Sequence, residues 1–226
     1  MSKPEFVYVT YIETTPDRLW WALTDRDFIQ SYWMDCELIS DWKVGSPMKM
    51  MRGGQVMNDY LSAIDAVSNE KYVDKGRLGC VGASYGGYSV FYLAGIHNNR
   101  FKTFIAHDGV FDFRSMYGTT DEMWFENWDK GGAYWEKNNA AAQKSFTKFN
   151  PSDLVAKWNT PILIFQGGKD YRVPIEQGQQ AFQAAQLRGI KSKFILLPDQ
   201  NHWVLTSQDA LVWQHEFFKW LDETLK

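Results

Sequence analysis

A short motif at residues 82–87 combines a nucleophile with small neighbours, in the order Gly-Ala-Ser-Tyr-Gly-Gly. It lies between an apolar run that predicts a strand and a segment that predicts a helix. A sharp strand-to-helix turn needs small flanking residues, and it would lift the Ser84 hydroxyl above the strand at the helix N-terminus. The backbone N–H of Tyr85 would then stabilise a developing oxyanion. The motif predicts nucleophilic catalysis by Ser84.

Two further motifs supply an acid and a base. Asp170 follows the apolar run at residues 161–166, and His202 follows the run at residues 193–197. Alone, an aspartate after a strand is more often a turn residue, and a loop histidine usually has no chemical role. Together with Ser84 they occur in the order Ser, Asp, His that α/β-hydrolases use, each directly after its own strand. The combination predicts a triad with Asp170 as the orienting acid and His202 as the general base.

The remaining histidines and Cys80 are interpreted as structural. His97 and His215 lie within helical patterns, and His107 ends a predicted strand without a recognisable charged partner. Cys80 belongs to an apolar run, where a buried, inert thiol is the usual state. Catalysis by a triad uses side chains and backbone groups alone, so we expect no cofactor and no metal ion.

Alternating strands and helices would place the three motifs on one edge of a sheet. The pattern predicts strands over residues 77–81, 104–107, 161–166 and 193–197, and helices over residues 87–94, 176–187 and from Thr206 or Ser207 onward. This alternation is typical of a mostly parallel sheet, in which all carboxyl ends share one edge. Residues 111–150 are rich in aromatic residues without clean periodicity, so we expect an excursion across that edge.

The first part of the chain has a different pattern. It predicts a strand at residues 6–12, helices at 17–24 and 28–33, and strands at 36–42 and 48–52. This order, with Thr14-Thr15-Pro16, Leu19-Trp20 and Asp41-Trp42-Lys43-Val44-Gly45-Ser46, resembles the opening of a START-like (SRPBCC) helix-grip domain. The resemblance covers residues 1–54. It implies part of an α+β domain of a kind that encloses an apolar ligand.

Residues 55–226 resemble a second family. The motifs Gly82-x-Ser84-Tyr85-Gly86-Gly87-Tyr88, Gly167-x-x-Asp170-x-Arg172-Val173-Pro174 and Asn201-His202 are similar to those of the prolyl oligopeptidase family, particularly its dipeptidyl-peptidases and acylaminoacyl-peptidases. The resemblance implies an α/β-hydrolase fold and hydrolysis of a peptide substrate through an acyl-enzyme. It also implies a substrate pocket formed by Val110, Phe113, Met116, Tyr117, Trp124 and Arg172.

This second resemblance is partial on its N-terminal side. Members of the family place several strands, a His-Gly-Gly-Pro-type loop and usually a β-propeller before the nucleophile, and here the START-like segment occupies that place. We therefore expect a partial α/β-hydrolase fold with a domain boundary near residues 53–55. The strand at residues 77–81 would have an exposed edge, which favours homo-oligomers. Loss of an oxyanion donor would lower turnover by about 10² to 10³.

Composition and charge narrow the range of partners. A formal net charge of −3, with 24 basic and 27 acidic residues mixed along the chain, gives no cationic face for nucleic acid or an anionic membrane. We find no run of the roughly 18 apolar residues that a membrane span requires and no signal-peptide core, so we expect a cytoplasmic protein. A serine peptidase is the leading hypothesis. An apolar-ligand-binding module and an inactive fusion of two partial domains are the alternatives.

Overall fold

The computed structural model describes residues 12–32, 36–46, 49–52 and 56–226, and it divides into two compact units, Met1–Val56 and Met57–Lys226. The first unit contains helices α1 (Pro16–Thr24) and α2 (Arg26–Tyr32) and the antiparallel strands β1 (Cys36–Ile39) and β2 (Lys49–Arg52). The two predicted helices and the hairpin are confirmed, although the strands are shorter than expected. Residues 6–11 of the predicted first strand lie outside the described residues.

Capping side chains explain where the two helices of the first unit begin. The Thr15 hydroxyl accepts a hydrogen bond from the Arg18 N–H at 3.3 Å, and Pro16 occupies the first turn, where its missing N–H removes no helical bond. Asp25 ends α1 in an extended conformation, and its carboxylate accepts the Phe28 N–H at 2.8 Å. The same residue therefore ends one helix and caps the next.

The second unit alternates strands and helices as the sequence predicts. Helix α3 (Val56–Val67) leads into it. Its strands are β3 (Gly79–Ala83), β4 (Thr103–His107), β5 (Ile162–Gly167) and β6 (Ser192–Leu197), which form a parallel sheet in the order β3-β4-β5-β6. The helices that connect or follow them are α4 (Tyr85–Ala94), α5 (Phe113–Tyr117), α6 (Met123–Asp129), α7 (Ala140–Lys148), α8 (Ile175–Leu187) and α9 (Ser207–Thr224). None of the helices formed by the described residues is both long and apolar enough to cross a membrane.

Both faces of this sheet are covered by helices. On one face Phe104, Ile162 and Ile164 pack with buried residues of α4 and α8. On the other face Ile105, Leu163 and Phe165 pack against α9. The side chains of α9 in this cluster are those that the helical pattern predicts: Trp213, Phe217, Trp220 and Leu221. Burial on both faces explains why the central strands are continuous apolar runs.

Strand β3 lies at one edge of the sheet. In the described part of the chain it pairs with β4 alone, and Val81 is 57% exposed. Its start differs from the prediction, because residues 75–77 form a 3-10 turn. The Asp74 carboxylate caps this turn by accepting the Gly76 N–H at 2.9 Å. The exposed edge is therefore short, and association of copies through it stays a prediction.

The aromatic excursion contains three helices, α5, α6 and α7, which the sequence did not predict. They are 5, 7 and 9 residues long, too short for a clear hydrophobic period. Side-chain caps begin two of them: Asp112 accepts the Ser115 N–H at 2.8 Å, and Asn139 accepts the Ala142 N–H at 3.2 Å. The excursion is thus ordered by local caps and by contacts among its own aromatic rings.

Candidate active site

Ser84 occupies a strained turn between β3 and α4. Its backbone has φ 57° and ψ −117°, in a region that residues other than glycine rarely adopt. The Ser84 N–H donates to the His107 carbonyl oxygen at 2.9 Å, which fixes the turn to the end of β4. A Cβ at Gly82 would lie 2.3 Å from the Gly86 carbonyl oxygen, so only glycine fits there. This geometry matches the predicted nucleophile elbow.

Helix α4 approaches the end of β4 through a second glycine contact. A Cβ at Gly87 would lie 2.6 Å from Gly109 Cα and 2.8 Å from the His107 carbonyl oxygen. The two backbones can approach this closely only because both positions lack a side chain. Helix α4 therefore starts directly beside the loop that follows β4.

Asp170 lies in the turn after β5, with its side chain fully buried. Its Oδ1 accepts the backbone N–H groups of Arg172 at 3.0 Å and Val173 at 2.9 Å. Its Oδ2 lies 2.6 Å from His202 Nδ1. This contact assigns the proton to Nδ1 in the neutral ring, so that Nε2 is the acceptor. Asp170 thus fixes both the orientation and the tautomer of His202.

The loop that carries His202 is held against the end of β5. A Cβ at Gly167 would lie 2.1 Å from the Asn201 carbonyl oxygen, so glycine permits the contact. The buried Gln200 side chain accepts the Leu205 N–H at 2.7 Å and donates to Thr206 Oγ1 at 2.9 Å. These bonds connect the loop to the start of α9. The His202 ring is therefore positioned from both sides of its loop.

The environment of His202 favours its protonated form. Its side chain is only 10% exposed. The hydrogen bond to Asp170 raises the pKa of His202 above its ordinary value, and the charges of Asp170 and Asp108 act in the same direction. Burial and the charge of Arg172 lower the pKa of His202 but do not reverse the shift. Deprotonation of the ring therefore requires a higher pH than for a free histidine.

Backbone hydrogen bonds between neighbouring strand ends gather the three residues on one edge of the sheet. The Ser84 N–H reaches β4, the Asp108 N–H donates to the Phe165 carbonyl oxygen at 3.0 Å, and the Gly168 N–H donates to the Leu197 carbonyl oxygen at 2.9 Å. Within the described residues, however, no hydrogen bond joins the Ser84 hydroxyl to His202. Bonds between a nucleophile and its base are often long before substrate binds.

Two residues of this edge were missed as a functional pair. His107 was interpreted as having no charged partner, but its Nε2 lies 2.9 Å from Asp108 Oδ2, and its Nδ1 accepts the Trp213 indole N–H at 2.8 Å. Polar side-chain atoms of Asp108, Asp170 and His202 all lie within 4.8 Å of one another. Because Asp170 and His202 are hydrogen-bonded to each other, we interpret this group as a dyad with a neighbouring carboxyl, not as a metal site. The sequence signal for this pair is two adjacent polar residues, His107 and Asp108, at the end of β4.

The residues predicted to form the substrate pocket fall into two groups. Val110, Phe113 and Met116 are buried in the core, so packing beneath the site fits them better than contact with a substrate. Tyr117 is half-buried, Trp124 is 75% exposed, and the exposed Arg172 pairs with Glu122 at 3.0 Å.

An exposed aromatic residue follows each of the three site residues. Tyr85, Tyr171 and Trp203 are 46%, 68% and 63% exposed. The Trp203 ring lies 5.7 Å from the His202 ring, centroid to centroid. The pattern is also visible in the sequence, where Ser84-Tyr85, Asp170-Tyr171 and His202-Trp203 each pair a polar with an aromatic residue. Three exposed aromatic rings are therefore carried by residues adjacent in the chain to the site residues.

A serine on a strained strand-to-helix turn, with a buried aspartate bonded to a loop histidine at the same edge of a parallel sheet, is the arrangement of the α/β-hydrolase fold. The prolyl oligopeptidase family matches residues 45–226. The chain belongs to this family.

Known proteins similar to the chain are peptidases several times its length. The dipeptidyl-peptidase 5 of Porphyromonas endodontalis is 53% identical over 174 residues, which cover 77% of this chain and 25% of that protein. The dipeptidyl-peptidase 5 of Schizosaccharomyces pombe is 33% identical over 75% of this chain and 24% of that protein. The chain thus spans about a quarter of the length of these relatives.

Solved structures of peptidases have the same fold. The acylaminoacyl peptidase of Pyrococcus horikoshii aligns with a TM-score of 0.67 at 19% identity, over 76% of this chain and 28% of that one. Dipeptidyl peptidase 4 of Porphyromonas gingivalis aligns with a TM-score of 0.63 at 24% identity, over 75% of this chain and 22% of that one. At these identities the likeness establishes the α/β-hydrolase fold.

The variant Gly87→Ala is expected to lower the free energy of unfolding by about 1 to 3 kcal/mol, because the new Cβ meets backbone atoms of β4 and its loop. Gly86→Ala is the matched control. No atom lies within 4 Å of its Cβ, so this change should be neutral or stabilising by up to about 1 kcal/mol. Urea unfolding of both variants measures the difference. Equal destabilisation by the two changes would contradict the close approach of α4 to β4.

Proposed function

We propose that this chain is a serine peptidase that cleaves peptide bonds through an acyl-enzyme, with Ser84 as the nucleophile, His202 as the general base and Asp170 as the orienting acid. The observation that carries the proposal is the Asp170–His202 hydrogen bond of 2.6 Å on the sheet edge that also holds the Ser84 elbow. Relatives named dipeptidyl-peptidase support a peptide as the substrate.

The proposed reaction begins when His202 Nε2 takes the Ser84 hydroxyl proton as the oxygen attacks the substrate carbonyl. Asp170 stabilises the imidazolium that forms, and its bonds to two backbone N–H groups keep it in place. The imidazolium then protonates the leaving amine, and an acyl-enzyme remains on Ser84. His202 then takes a proton from a water molecule that attacks the acyl carbon, and returns this proton to Ser84 Oγ as the acyl–Oγ bond breaks and the acid leaves.

The Tyr85 backbone N–H is the proposed oxyanion donor. Tyr85 is the first residue of α4, so its N–H lies at the positive end of that helix, next to Ser84. This is the donor that a nucleophile elbow supplies. Removal of one oxyanion donor costs about 10² to 10³ in turnover, so the rate depends on whether a second donor completes the site.

The proposed enzyme prefers substrates that have an apolar side chain next to the scissile bond. Tyr85, Tyr171 and Trp203 each follow a catalytic candidate in the chain and have exposed rings that could contact such side chains. Trp124 extends this exposed aromatic surface on α6, whose start is tied to the Asp170 turn by the hydrogen bond from the Asp121 N–H to the Tyr171 carbonyl oxygen at 2.9 Å. Arg172, beside this turn, would contact the polar backbone of a bound peptide.

A fluorophosphonate probe, located by mass spectrometry, should label the folded protein at Ser84. Ser84→Ala should abolish this adduct, and His202→Ala should slow labelling by about 10³ or more, because the serine loses its base. Ser207→Ala, at an exposed position that begins α9, is the matched control and should label like the parent protein. Folded protein without an adduct at Ser84 would contradict the proposal.

The pH dependence of kcat/KM is expected to report the raised pKa of His202. The reaction needs the neutral ring, so activity should fall as pH decreases through a value above the ordinary 6.5. Asp170→Asn removes the main cause of the shift, so the acid limb should move to lower pH and turnover should fall by about 10⁴. Peptide hydrolysis between pH 5 and 9 measures both. An acid limb of the parent protein at or below 6.5 would count against His202 as the base.

For residues 1–54 we propose the START-like identity as a second candidate function, the binding of an apolar ligand. Two helices followed by the β1–β2 hairpin agree with the order expected of such a fragment. The match to the prolyl oligopeptidase family begins at residue 45, so it leaves residues 1–44 without a family assignment. A fluorescent fatty acid should bind the parent protein and the Ser84→Ala variant equally. Absence of binding to both would remove this candidate.

A further inference from the structure

A second buried carboxyl lies beside the Asp170–His202 pair. Asp108 is the first residue after β4 and is completely buried. Its Oδ1 accepts the Gly167 N–H at 2.8 Å. Its Oδ2 lies 2.9 Å from His107 Nε2, but no donor among the described residues approaches it at hydrogen-bonding geometry. A buried carboxyl so close to a general base requires a physical explanation.

The tautomer of His107 is fixed by Trp213. An indole N–H can only donate, so the 2.8 Å bond from Trp213 Nε1 makes His107 Nδ1 an acceptor. The ring proton of neutral His107 is therefore on Nε2, which faces Asp108 Oδ2. Asp108 thus accepts one N–H at Oδ1 and has the His107 Nε2–H close to, but not aligned with, Oδ2. Both groups favour the carboxylate over the carboxylic acid.

Two opposing effects act on the charge of Asp108. Burial raises the pKa of Asp108 above its ordinary value, and the charge of Asp170 raises it further. His107 and the Gly167 N–H lower the pKa without reversing the shift. The charged and titratable groups that face His202 are Asp170 and Asp108, which favour the imidazolium, and Arg172, which opposes it. A positive charge on His202 compensates both carboxylates at once.

Asp108 also holds the backbone from which the Asp170 turn begins. Gly167, which donates to Asp108, ends β5 and lies three residues before Asp170. The backbone of Asp108 has φ 44°, a conformation that aspartate and asparagine adopt more readily than most residues. An asparagine at this position would keep the backbone geometry and the acceptor for Gly167. It would remove the charge and place an amide NH2 where Oδ2 lies near His107 Nε2.

We propose that Asp108, supported by His107 and Trp213, is a positioning residue that fixes the Asp170 turn and supplies a second negative charge to the general base His202. The charge stabilises the imidazolium that forms when Ser84 attacks. This inference rests on the proposed function for its catalytic meaning, but its electrostatic part concerns the ring of His202 alone. It can therefore be tested without turnover.

The test is an NMR titration of the His202 ring in the full chain, with the four histidines labelled with ¹⁵N and His202 identified from the spectrum of His202→Gln. Asp108→Asn should lower the pKa of His202 by about 1 unit, because a negative charge a few ångströms away is lost. Asp199→Asn is the matched control. It removes the same charge from an exposed site on the His202 loop and should leave that pKa unchanged.

A purely structural role for Asp108 predicts a different result: the unfolding midpoint of Asp108→Asn falls, and the pKa of His202 does not move. That result would overturn the inference. If Asp108→Asn does not fold, Trp213→Phe decides. This change removes the indole N–H that fixes the His107 tautomer and leaves Asp108 in place. It should lower the pKa of His202 by less than Asp108→Asn does. An unchanged pKa would overturn the inference.

Kinetics separate this inference from the proposed function. If Ser84 reacts with the fluorophosphonate probe while the pKa of His202 is the same in Asp108→Asn, the function stands and the inference fails. If the pKa shifts but Ser84 does not react, the electrostatic role stands and the peptidase proposal fails. Where both hold, the acid limb of kcat/KM in Asp108→Asn should move to lower pH, with a larger effect on kcat than on KM.

Discussion

The site depends on backbone approaches that only glycine allows. At three strand ends a Cβ would meet backbone atoms of the neighbouring segment at 2.1 to 2.6 Å: Gly82 against Gly86, Gly87 against Gly109, and Gly167 against Asn201. Each contact brings a loop that carries a chemical group against the end of a strand. The polar chemistry follows from this constraint, because the side chains meet only where the backbones can approach so closely.

The glycine contacts bring two buried carboxyl groups, Asp108 and Asp170, to the same edge of the sheet. Asp170 accepts two backbone N–H groups and contacts His202, whereas Asp108, within the described part of the chain, accepts the Gly167 N–H alone and keeps an Oδ2 without a hydrogen-bond donor. The imidazole of His202 is the group that can become positive between them. All of these contacts lie within the second unit, which therefore positions Asp170 and His202 with its own residues.

The sequence predicts local features of this fold well and distant ones poorly. The apolar runs and the three polar motifs identify the strands, their parallel arrangement and the candidates for a triad, because each signal is contained in a few neighbouring residues. The support of Asp108 is not visible in this way. It requires the bond between His107 and Trp213, which are 106 positions apart. The sequence also does not show in which direction a side chain points. The resemblance predicted Val110, Phe113 and Met116 as pocket residues, but the structure buries them in the core.

Helix α9 has a consequence for the order in which the protein is made. It follows Ser84, Asp170 and His202 in the chain, yet Trp213 bonds to His107, and Asp209 accepts a hydrogen bond from Gln200 at 2.5 Å. A ribosome releases these residues after all three catalytic candidates have emerged. The supported form of the site therefore cannot exist on a nascent chain that still has α9 in the exit tunnel. Synthesis itself therefore delays assembly of the supported site until α9 has left the tunnel.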